Sequence, residues 1–184
     1  MNTLALGSPK ATERCFRPMP VVYLSLGSNV GDRMENLRDA CRKLNQKEIR
    51  IRKASSVYET EPVGFLEQAW FLNCAVEAET SLDPLALLRE IKEIEKNLGR
   101  QRELPKGPRT LDIDILLYDD LLLTSREITL PHPEMTSRRF VLEPLAEIAP
   151  DLVAPGTAKT IREALAELKD PSEVRKIEGS LLDD

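Results

Sequence analysis

The sequence predicts an α+β fold, in which amphipathic helices pack against an antiparallel β-sheet, and three observations support this prediction. Short apolar or alternating segments, typical of strands, are interspersed with longer segments in which apolar residues recur every three or four positions, typical of helices. The chain has 184 residues, enough for one well-buried domain and barely enough for two. Its composition, 41% hydrophobic and 31% charged, is that of a folded globular protein rather than a disordered one.

The first part of the chain predicts a strand, a helix and a second strand. Val21–Leu26 is a short apolar run that ends at Gly27–Asn29, and we interpret it as a buried strand followed by a turn. Apolar residues at helical spacing then predict an amphipathic helix. They are Met34, Leu37, Cys41 and Leu44. Residues 49–52 alternate isoleucine with arginine and open a second strand that can extend to Tyr58.

A third strand, Trp70–Thr80, follows a loop, and its alternation assigns its two faces. The core side holds Leu72, Cys74, Val76 and Ala78. The other side includes Phe71 and Asn73, an aromatic ring and an amide that could stack on and hydrogen-bond a flat heterocycle. Ordinary solvent-facing strand residues are the alternative, which the strand pattern alone slightly favours.

A second helix is predicted to begin at Asp83, which can serve as the N-cap, with Pro84 as the first helical residue. Gly99 is expected to end it. The predicted buried stripe consists of Leu85, Leu88, Ile91, Ile94 and Leu98. Glu95, near the end of the helix, is predicted to flank the loop that follows rather than to join the core.

That loop, Gly99–Thr110, is a cationic island in an acidic protein. Its four cations and one acid give a local net charge of +3, whereas the whole chain carries −5. The cations are Arg100, Arg102, Lys106 and Arg109. The island indicates a small anionic ligand, whose phosphate groups such side chains could hold. The overall negative charge does not favour binding to nucleic acid.

A fourth strand, Leu111–Tyr118, carries the strongest indication of chemistry. Because strand side chains alternate, Asp112 and Asp114 point to one face and the aliphatic residues to the other. Two carboxylates on one face suit Mg²⁺, which takes one or two protein carboxylates together with phosphate oxygens. An edge strand whose aspartates simply face water is the alternative, and the cationic segment beside this strand favours the magnesium site.

The remaining third of the chain predicts shorter elements. His132, the only histidine, lies between two prolines and cannot build a zinc site alone. It could direct a ring nitrogen at a phosphate, and a structural turn histidine is the alternative. A short helix is predicted at Glu143–Ile148 with Pro144 at its start. A capping box at Thr160–Glu163 opens a last helix through Leu168.

Both ends of the chain are predicted to lie outside the folded domain. Residues 1–20 lack the hydrophobic segment of a signal peptide and are interpreted as a disordered tail, residues 21–170 as the domain, and residues 171–184 as a C-terminal tail. The three cysteines form no Cys-x-x-Cys pair, which favours reduced thiols, and no apolar run approaches transmembrane length. We therefore expect a cytoplasmic protein without membrane contact, and we expect it to be monomeric.

The order strand–helix–strand–strand–helix–strand, followed by extra C-terminal elements, is that of a split βαβ or ferredoxin-like sandwich. The helices would then cover one face of the sheet. The opposite face would carry Phe71, Asn73, Asp112 and Asp114, and these side chains converge only if their strands are neighbours.

Several short motifs together make the chain resemble a known family. They are Leu26–Asn29, Tyr58–Gly64, Phe71–Asn73, Glu95 with Gly99–Arg102, Gly107–Asp114, and Pro131–His132 with Arg138–Phe140. The Gly-Pro-Arg-x-x-Asp-x-Asp motif is highly specific in company with the others. With these motifs the chain resembles, over roughly Val21 to Glu167, the 6-hydroxymethyl-7,8-dihydropterin pyrophosphokinase family of folate biosynthesis.

The resemblance implies a ferredoxin-like fold and the transfer of pyrophosphate from ATP to the hydroxymethyl group of a pterin, with release of AMP. It implies that Asp112 and Asp114 hold two Mg²⁺ ions, and that Arg100 and Arg109 complete the catalytic set by stabilising charge around the transferred group. The implied ATP site comprises Glu95, Arg100, Arg102, Lys106, Arg109, Ile115, Thr129, His132 and Arg138. The implied pterin site comprises Phe71 and Phe140 as a ring sandwich, with Asn73, Asp112, Thr60, Pro62 and Val63 at the polar edge.

The chain departs from the family pattern in one loop and at Pro133, which follows His132 where an aromatic residue can occur, and two other classes of protein share parts of its pattern. Several members of the family place an Arg-Trp pair before the Gly-Pro-Arg motif, where this chain has Pro105-Lys106 and a loop one residue shorter. An Asp-x-Asp with basic neighbours could also serve a nucleotide-sugar glycosyltransferase, although the chain is short for one. A ferredoxin-like sheet could be an RNA-binding module, but the 4% aromatic content and the negative charge disfavour that class.

Overall fold

Six strands form one antiparallel sheet in the computed structural model, which describes residues 18–64, 66–99, 107–177 and 181–182. The strands of this sheet are β1 (Val21–Ser28), β2 (Ile49–Ala54), β3 (Val57–Thr60), β4 (Phe71–Thr80), β5 (Asp112–Tyr118) and β8 (Val174–Ile177). Their order is β5-β1-β4-β3-β8, and β2 also pairs with β4. A separate hairpin contains β6 (Leu123–Thr124) and β7 (Thr129–Leu130). The predicted antiparallel α+β architecture is confirmed.

The helices described are α1 (Arg33–Asn45), α2 (Pro84–Asn97), α3 (Arg139–Ile148) and α4 (Ile161–Glu167), with a short 3₁₀ turn at Met135–Ser137. None of the helices in the described part of the chain is long and apolar enough to cross a membrane.

The sequence places a capping side chain at three of the helix starts: Asp32 at α1, Asp83 at α2 and Thr160 at α4. The Asp83 carboxylate accepts hydrogen bonds from the backbone N–H groups of Leu85 and Ala86, each at 2.9 Å, and Pro84 is the first helical residue, as predicted. At α4, Thr160 and Glu163 form the predicted capping box, in which the Thr160 N–H donates to Glu163 Oε2 at 2.8 Å. These caps satisfy N–H groups that have no partner inside a helix.

Strand β1 lies between β5 and β4 and is longer than the sequence predicted. Gly27 and Ser28, interpreted as a turn, still pair with Asn73 and Leu72 of β4. Gly27 also lies opposite Asp112 on the other side. The turn prediction was wrong because two neighbouring strands hold this backbone in the ladder.

The second predicted strand is divided. Its first part is β2 and its second part is β3, separated by Ser55 and Ser56. The Ser55 N–H donates to the carbonyl of Ala75 at 2.9 Å, and the Ser55 hydroxyl accepts from the Ala75 N–H at 2.9 Å. The side chain thus replaces one rung of the ladder with β4, so the two parts remain aligned.

One face of the sheet packs on α1 and α2, where the larger core lies. The residues assigned to the core side of β4 are all buried there: Leu72, Cys74, Val76 and Ala78. On α2 the buried apolar positions are Leu87, Ile91 and Ile94, whereas Leu85 and Leu88 are only partly buried. The predicted stripe therefore began on the wrong residue, because spacings of three and four fit Leu87 as well as Leu88.

The cysteines of this core behave as predicted. Cys41 and Cys74 are free and buried. Burial raises the pKa of the Cys41 thiol to about 12, and it also raises the pKa of Cys74.

The opposite face is covered in part by α3, against which α4 packs, so the prediction that helices cover only one face was wrong. Ala75 of β4 and Leu117 of β5 pack there against Leu142 and Leu145 of α3. Helix α3 begins at Arg139 rather than Glu143, and Pro144 lies inside it rather than at its start. The earlier start depends on a distant residue, because the Arg139 N–H donates to the Asp170 carboxylate at 2.8 Å.

The structure describes little of the expected N-terminal tail but most of the expected C-terminal tail. Residues 1–17 of the expected N-terminal tail lie outside the described residues. The expected C-terminal tail, residues 171–184, instead contributes β8, which pairs with β3 from Val57↔Ile177 to Thr60↔Val174. A strand forms here because β3 would otherwise present an unpaired edge.

The Glu147 carboxylate joins α3 to the sheet. It accepts hydrogen bonds from the Tyr58 hydroxyl at 2.6 Å, the Ser56 hydroxyl at 2.8 Å and the Lys176 ammonium at 3.3 Å. Burial alone would raise the pKa of Glu147, but the hydrogen bonds outweigh it and hold that pKa below its ordinary value.

We expect Glu147→Gln to lower the free energy of unfolding at neutral pH by about 1–2 kcal/mol, because it weakens charge-assisted hydrogen bonds. A carboxylate with a lowered folded-state pKa contributes stability above its unfolded pKa and loses it as the pH falls through the folded value. The difference between wild type and variant should therefore shrink in acid. Urea unfolding at pH 7 and at pH 3 measures both effects.

Tyr58→Phe provides the control for this prediction. In the Glu147→Gln background, Tyr58→Phe should lower the free energy of unfolding by less than it does in the wild type, because the two groups share one hydrogen bond. Strictly additive losses would show that the 2.6 Å contact contributes nothing.

Candidate active site

A cleft opens on the sheet face that carries α3, beyond the start of that helix. Strands β1, β3, β4 and β5 form its floor. Its lining consists of Ser25, Gly27, Thr60, Glu61, Val63, Gln68, Phe71, Asn73, Arg109, Asp112, Asp114, Arg138 and Phe140. The cleft therefore combines two aromatic rings, an amide and two carboxylates on neighbouring parts of one surface.

Gly27 explains how these side chains meet. Phe71 and Asn73 on β4 are not adjacent to the aspartates on β5, because β1 runs between the two strands. We expected these side chains to converge only if their strands were neighbours. That expectation was wrong, because the strands are separated and the side chains still line one cleft. A Cβ at Gly27 would lie 2.6 Å from Asn73 Oδ1. The missing side chain makes the centre of the cleft floor open, so groups on both flanking strands reach one space.

One wall of the cleft carries a fixed hydrogen-bonding edge. The Asn73 side-chain amide donates to the Thr60 hydroxyl at 2.6 Å. Asn73 is 5% exposed and Thr60 is 1% exposed. An amide held in this way presents its carbonyl oxygen in one orientation, which suits recognition of a planar ligand with hydrogen-bond donors.

The opposite wall carries the carboxylates. Asp112 forms an ion pair with Arg109, three residues earlier, and both side chains are about one-fifth to one-quarter exposed, at 19% and 26%. Burial raises the pKa of Asp114, and the neighbouring Asp112 carboxylate raises it further. Two carboxylates that repel each other in this way are typical of a site that a cation completes.

Asn29 joins the two walls, a role that its turn-like sequence context did not reveal. Its side-chain oxygen accepts the Arg109 N–H at 2.7 Å, and its own N–H donates to the Arg109 carbonyl at 3.0 Å. Its side-chain nitrogen donates to Gln68 Oε1 at 2.9 Å and to the Ala69 carbonyl at 3.1 Å. The segment before β5 and the segment before β4 are therefore held by one buried residue.

A second groove adjoins the cleft at Asp114. Its lining includes Ile113, Ile115, Thr129, His132 and Pro133, together with residues of the β6–β7 hairpin. His132 Nδ1 accepts a hydrogen bond from the Glu134 N–H at 3.2 Å. Because Nδ1 is the acceptor, the neutral ring carries its proton on Nε2, which can then donate to a ligand.

Glu95 is placed differently from its prediction. It is 4% exposed, and its carboxylate accepts the Ile113 N–H at 2.9 Å. The prediction that it lies outside the core was wrong, and Glu95 is not among the residues that line the cleft or the second groove. It instead fixes the backbone of β5 between Asp112 and Asp114.

The donor set fits Mg²⁺ better than a transition metal. No group of three or more histidine, cysteine, aspartate or glutamate side chains that could hold a metal occurs in the described parts of the chain. Mg²⁺ does not need such a cluster, since one or two carboxylates suffice when a phosphate supplies the other oxygens. Asp112 and Asp114 meet that requirement.

Comparison with known proteins agrees with this geometry. The sequence profile of the family described as "7,8-dihydro-6-hydroxymethylpterin-pyrophosphokinase (HPPK)" matches residues 23–150. The chain belongs to the HPPK family.

Its relatives include separate enzymes and larger proteins. It is 46% identical over 156 residues to a 2-amino-4-hydroxy-6-hydroxymethyldihydropteridine pyrophosphokinase of Bacillus subtilis. The aligned region covers 84% of this chain and 93% of that protein. A protein of the same name from Methylorubrum extorquens is 47% identical, with 87% and 100% covered. The folic acid synthesis protein fol1 of Schizosaccharomyces pombe is 43% identical over 80% of this chain but only 20% of its own length.

Solved structures support the fold. An HPPK-DHPS chain in complex with substrates superposes with a TM-score of 0.66 at 15% identity, over 82% of this chain and 43% of that one. An HPPK-DHPS of Plasmodium falciparum gives 0.67 at 17% identity, over 84% and 46%. The chain thus spans less than half of these solved chains. The predicted ferredoxin-like α+β fold is confirmed.

The residues assigned by resemblance to the HPPK family fall into three groups. Those predicted to contact pterin all line the cleft except Pro62, which is buried beside it: Thr60, Val63, Phe71, Asn73, Asp112 and Phe140. Of the predicted ATP residues, Ile115, Thr129 and His132 line the second groove, whereas Arg109 and Arg138 line the cleft. Arg100, Arg102 and Lys106 lie outside the described residues.

Four further cleft residues were missed: Ser25, Gly27, Glu61 and Gln68. For Ser25 and Gln68 no pattern in the sequence distinguishes a cleft position from a surface position. For Gly27 the sequence allowed a close approach of backbone or ligand, which glycine inside a strand often marks, but this residue was predicted to lie in a turn and was not assigned to the site.

We expect Gly27→Ala to lower the free energy of unfolding by about 1–3 kcal/mol, since the added methyl group would displace the Asn73 side chain. It should also break the Asn73–Thr60 hydrogen bond and narrow the cleft. Urea unfolding gives the stability.

Asn73→Ala supplies the matched background. Adding Gly27→Ala to Asn73→Ala should cost little, because the atom that clashes has been removed. An equal cost in both backgrounds would mean that the contact does not constrain this position.

Proposed function

We propose that the chain transfers pyrophosphate from ATP to the hydroxymethyl group of 6-hydroxymethyl-7,8-dihydropterin and releases AMP, as a step of folate biosynthesis. The observation that carries this proposal is that the cleft and the second groove meet at Asp114. One has rings and an amide suited to a flat heterocycle, and the other adjoins a histidine and a carboxylate suited to phosphates. Membership of the HPPK family supports the same activity.

The pterin would lie between Phe71 and Phe140, at the Asn73–Thr60 edge. Stacking against aromatic rings holds a heterocycle in one plane, and the fixed amide then sets its rotation within that plane. Arg138 lies over the Phe140 ring, 5.6 Å from its centroid. The Arg138 guanidinium therefore supports the Phe140 ring, and it lines the same cleft, where it can lie near the group transferred.

ATP would occupy the second groove, with its triphosphate directed toward Asp112 and Asp114. These carboxylates would hold two Mg²⁺ ions, which screen and orient phosphate oxygens when bound. His132 would donate a hydrogen bond from Nε2. The cations Arg109, Arg138 and the predicted Arg100, Arg102 and Lys106 would balance the phosphate charge.

In the reaction, the pterin hydroxyl oxygen forms a bond to the β-phosphorus of ATP. The bond between that phosphorus and the oxygen bridging to the α-phosphate breaks, AMP leaves and the hydroxyl proton is released. Such transfers depend chiefly on positioning and on stabilisation of charge. Arg109 suits the second task, because its backbone is fixed on both sides by Asn29.

The proposal is tested by incubating the protein with ATP, Mg²⁺ and the hydroxymethyl pterin and measuring AMP. AMP that forms only when the pterin is present supports it, and ADP or no product contradicts it. The cytoplasmic location and the monomeric state stay predictions.

We expect Asp114→Ala to slow single-turnover AMP formation more than His132→Ala, at saturating ATP, pterin and Mg²⁺. Loss of a carboxylate leaves the triphosphate charge unscreened and should cost about a hundredfold or more, whereas loss of one hydrogen-bond donor should cost less. Asp112→Ala should be comparably slow and should also weaken pterin binding.

The control is Asp120→Ala, which removes an exposed carboxylate just beyond β5 and should leave the rate unchanged. If His132→Ala proved slower than both aspartate variants, a histidine base would replace the metal-centred mechanism.

We expect Phe140→Ala to weaken pterin binding by about tenfold, with little change for an ATP analogue. Ring stacking contributes about 0.5–1.5 kcal/mol beyond the burial of area. Isothermal titration calorimetry with each ligand separately measures the two affinities.

Phe140→Tyr retains the ring and should retain pterin affinity. Equal losses for both ligands in Phe140→Ala would indicate that the residue supports the fold rather than the pterin site.

A further inference from the structure

The C-terminal segment Asp170–Ile177 contacts three separate parts of the pterin cleft. Each contact falls on a residue directly beside one assigned to the pterin. The segment holds Arg139 beside Phe140, Glu61 beside Thr60, and Trp70 beside Phe71. None of these roles is apparent from local sequence, in which the segment reads as a tail.

The first contact is at the start of α3. Asp170 Oδ2 accepts the Arg139 N–H at 2.8 Å, and the Asp170 carbonyl accepts Arg139 Nε at 3.0 Å. The other carboxylate oxygen accepts the N–H and the hydroxyl of Ser172, at 2.9 and 2.6 Å. Asp170 therefore caps the helix from 31 residues away and fixes the direction in which Phe140 leaves it.

The second contact is at the end of β3. Strand β8 pairs with β3 as far as Thr60↔Val174. One residue further, the Glu61 N–H donates to the Glu173 carbonyl at 3.1 Å, and the Glu173 N–H donates to Glu61 Oε2 at 3.3 Å. The pairing thus fixes the backbone on both sides of Thr60, whose hydroxyl holds the Asn73 amide.

The third contact is at the start of β4. The Arg175 guanidinium lies over the Trp70 ring, 4.9 Å from its centroid. The Trp70 carbonyl accepts a hydrogen bond from Arg33 at 2.8 Å. Trp70 is therefore held from two directions, and Phe71 follows it directly.

We propose that Asp170–Ile177 is a positioning segment for the pterin cleft. The segment fixes the positions of Phe140, Thr60 and Phe71 relative to one another. This inference rests on the proposed function for the identity of the ligand. The segment joins the walls that the ring sandwich and the polar edge require.

The segment should act on pterin rather than on ATP. Strand β8 is at one edge of the sheet, whereas β5, with Asp114 and Ile115, is at the other edge. Among the described residues, the contacts of the segment fall on β3, on α3 and on the residue before β4, and none is with the groove that holds His132. Arg138 precedes α3 directly, so a change at Asp170 should have a small secondary effect on ATP.

Two variants and a matched control test the proposal in the full chain. Asp170→Ala removes the cap of α3, and Arg175→Ala removes the cation from Trp70. Lys176→Ala is the control, because Lys176 is the next cation of the same strand with nearly the same side-chain exposure, 57% against 58%, and pairs with Glu147 instead. Asp170→Asn keeps a side-chain acceptor and should rescue part of the loss.

We expect Asp170→Ala to weaken binding of 6-hydroxymethyl-7,8-dihydropterin by about tenfold, as loss of a helix cap would permit. Arg175→Ala should weaken it by about threefold. A non-hydrolysable ATP analogue should bind Arg175→Ala and Lys176→Ala as it binds the wild type. Calorimetry measures both ligands, and thermal unfolding of each variant shows whether it is folded at the temperature used.

Trp70 provides a readout that does not depend on any ligand, because it is the only tryptophan. Its fluorescence in the ligand-free protein should change in Arg175→Ala and not in Lys176→Ala. Hydrogen exchange at residues 139–142 should accelerate in Asp170→Ala.

The outcomes separate this inference from the proposed function. If the wild type forms AMP but the variants bind pterin normally, or lose pterin and ATP affinity equally, the positioning role is refuted and the function stands. If the wild type forms no AMP, the function is refuted, and hydrogen exchange and Trp70 fluorescence decide the positioning role. Unchanged exchange and fluorescence would refute it.

Discussion

The absence of a side chain at Gly27 is the constraint on which the site depends. Strand β1 separates the strand that carries Phe71 and Asn73 from the strand that carries the two aspartates. Any Cβ at position 27 would meet the Asn73 carbonyl oxygen at 2.6 Å. Because the floor is empty there, the two outer strands contribute to one cleft even though they never touch. The remainder of the sheet can be regarded as the frame that keeps three backbones at this spacing, with one face buried under α1 and α2.

The parts of the site that follow from local pattern could be predicted from the sequence. Alternation along β5 placed Asp112 and Asp114 on one face, and alternation along β4 separated Asn73 from the core residues on either side of it. The caps of α2 and α4 were equally local, because each acceptor lies within three residues of its donors. In each case the physical cause acts over a few residues, so the sequence contains it directly.

The parts that could not be predicted depend on partners distant in sequence. Helix α3 starts where Asp170 caps it, 31 residues later, and nothing near Arg139 announces that start. Glu95 was predicted to flank a loop at the end of a helix, but it is buried and accepts the Ile113 N–H from 18 residues away. The tail became a strand because β3 offered it an edge. Such contacts are fixed by the tertiary fold, whereas periodicity reports only the side on which a residue lies.

The reactivity of the two buried cysteines reports local opening of the core. Burial raises the pKa of Cys41 to about 12, so almost none of that thiol is ionised at neutral pH, and Cys74 is shielded in the same core. A thiolate is the species that reacts with alkylating reagents. Cys74 directly follows Asn73 along β4 and is fully buried in the core beneath α1 and α2, so a reagent reaches it only when that core opens. The rate at which an alkylating reagent modifies Cys74 therefore reports how often the core beneath the cleft opens, whether or not a ligand occupies the cleft.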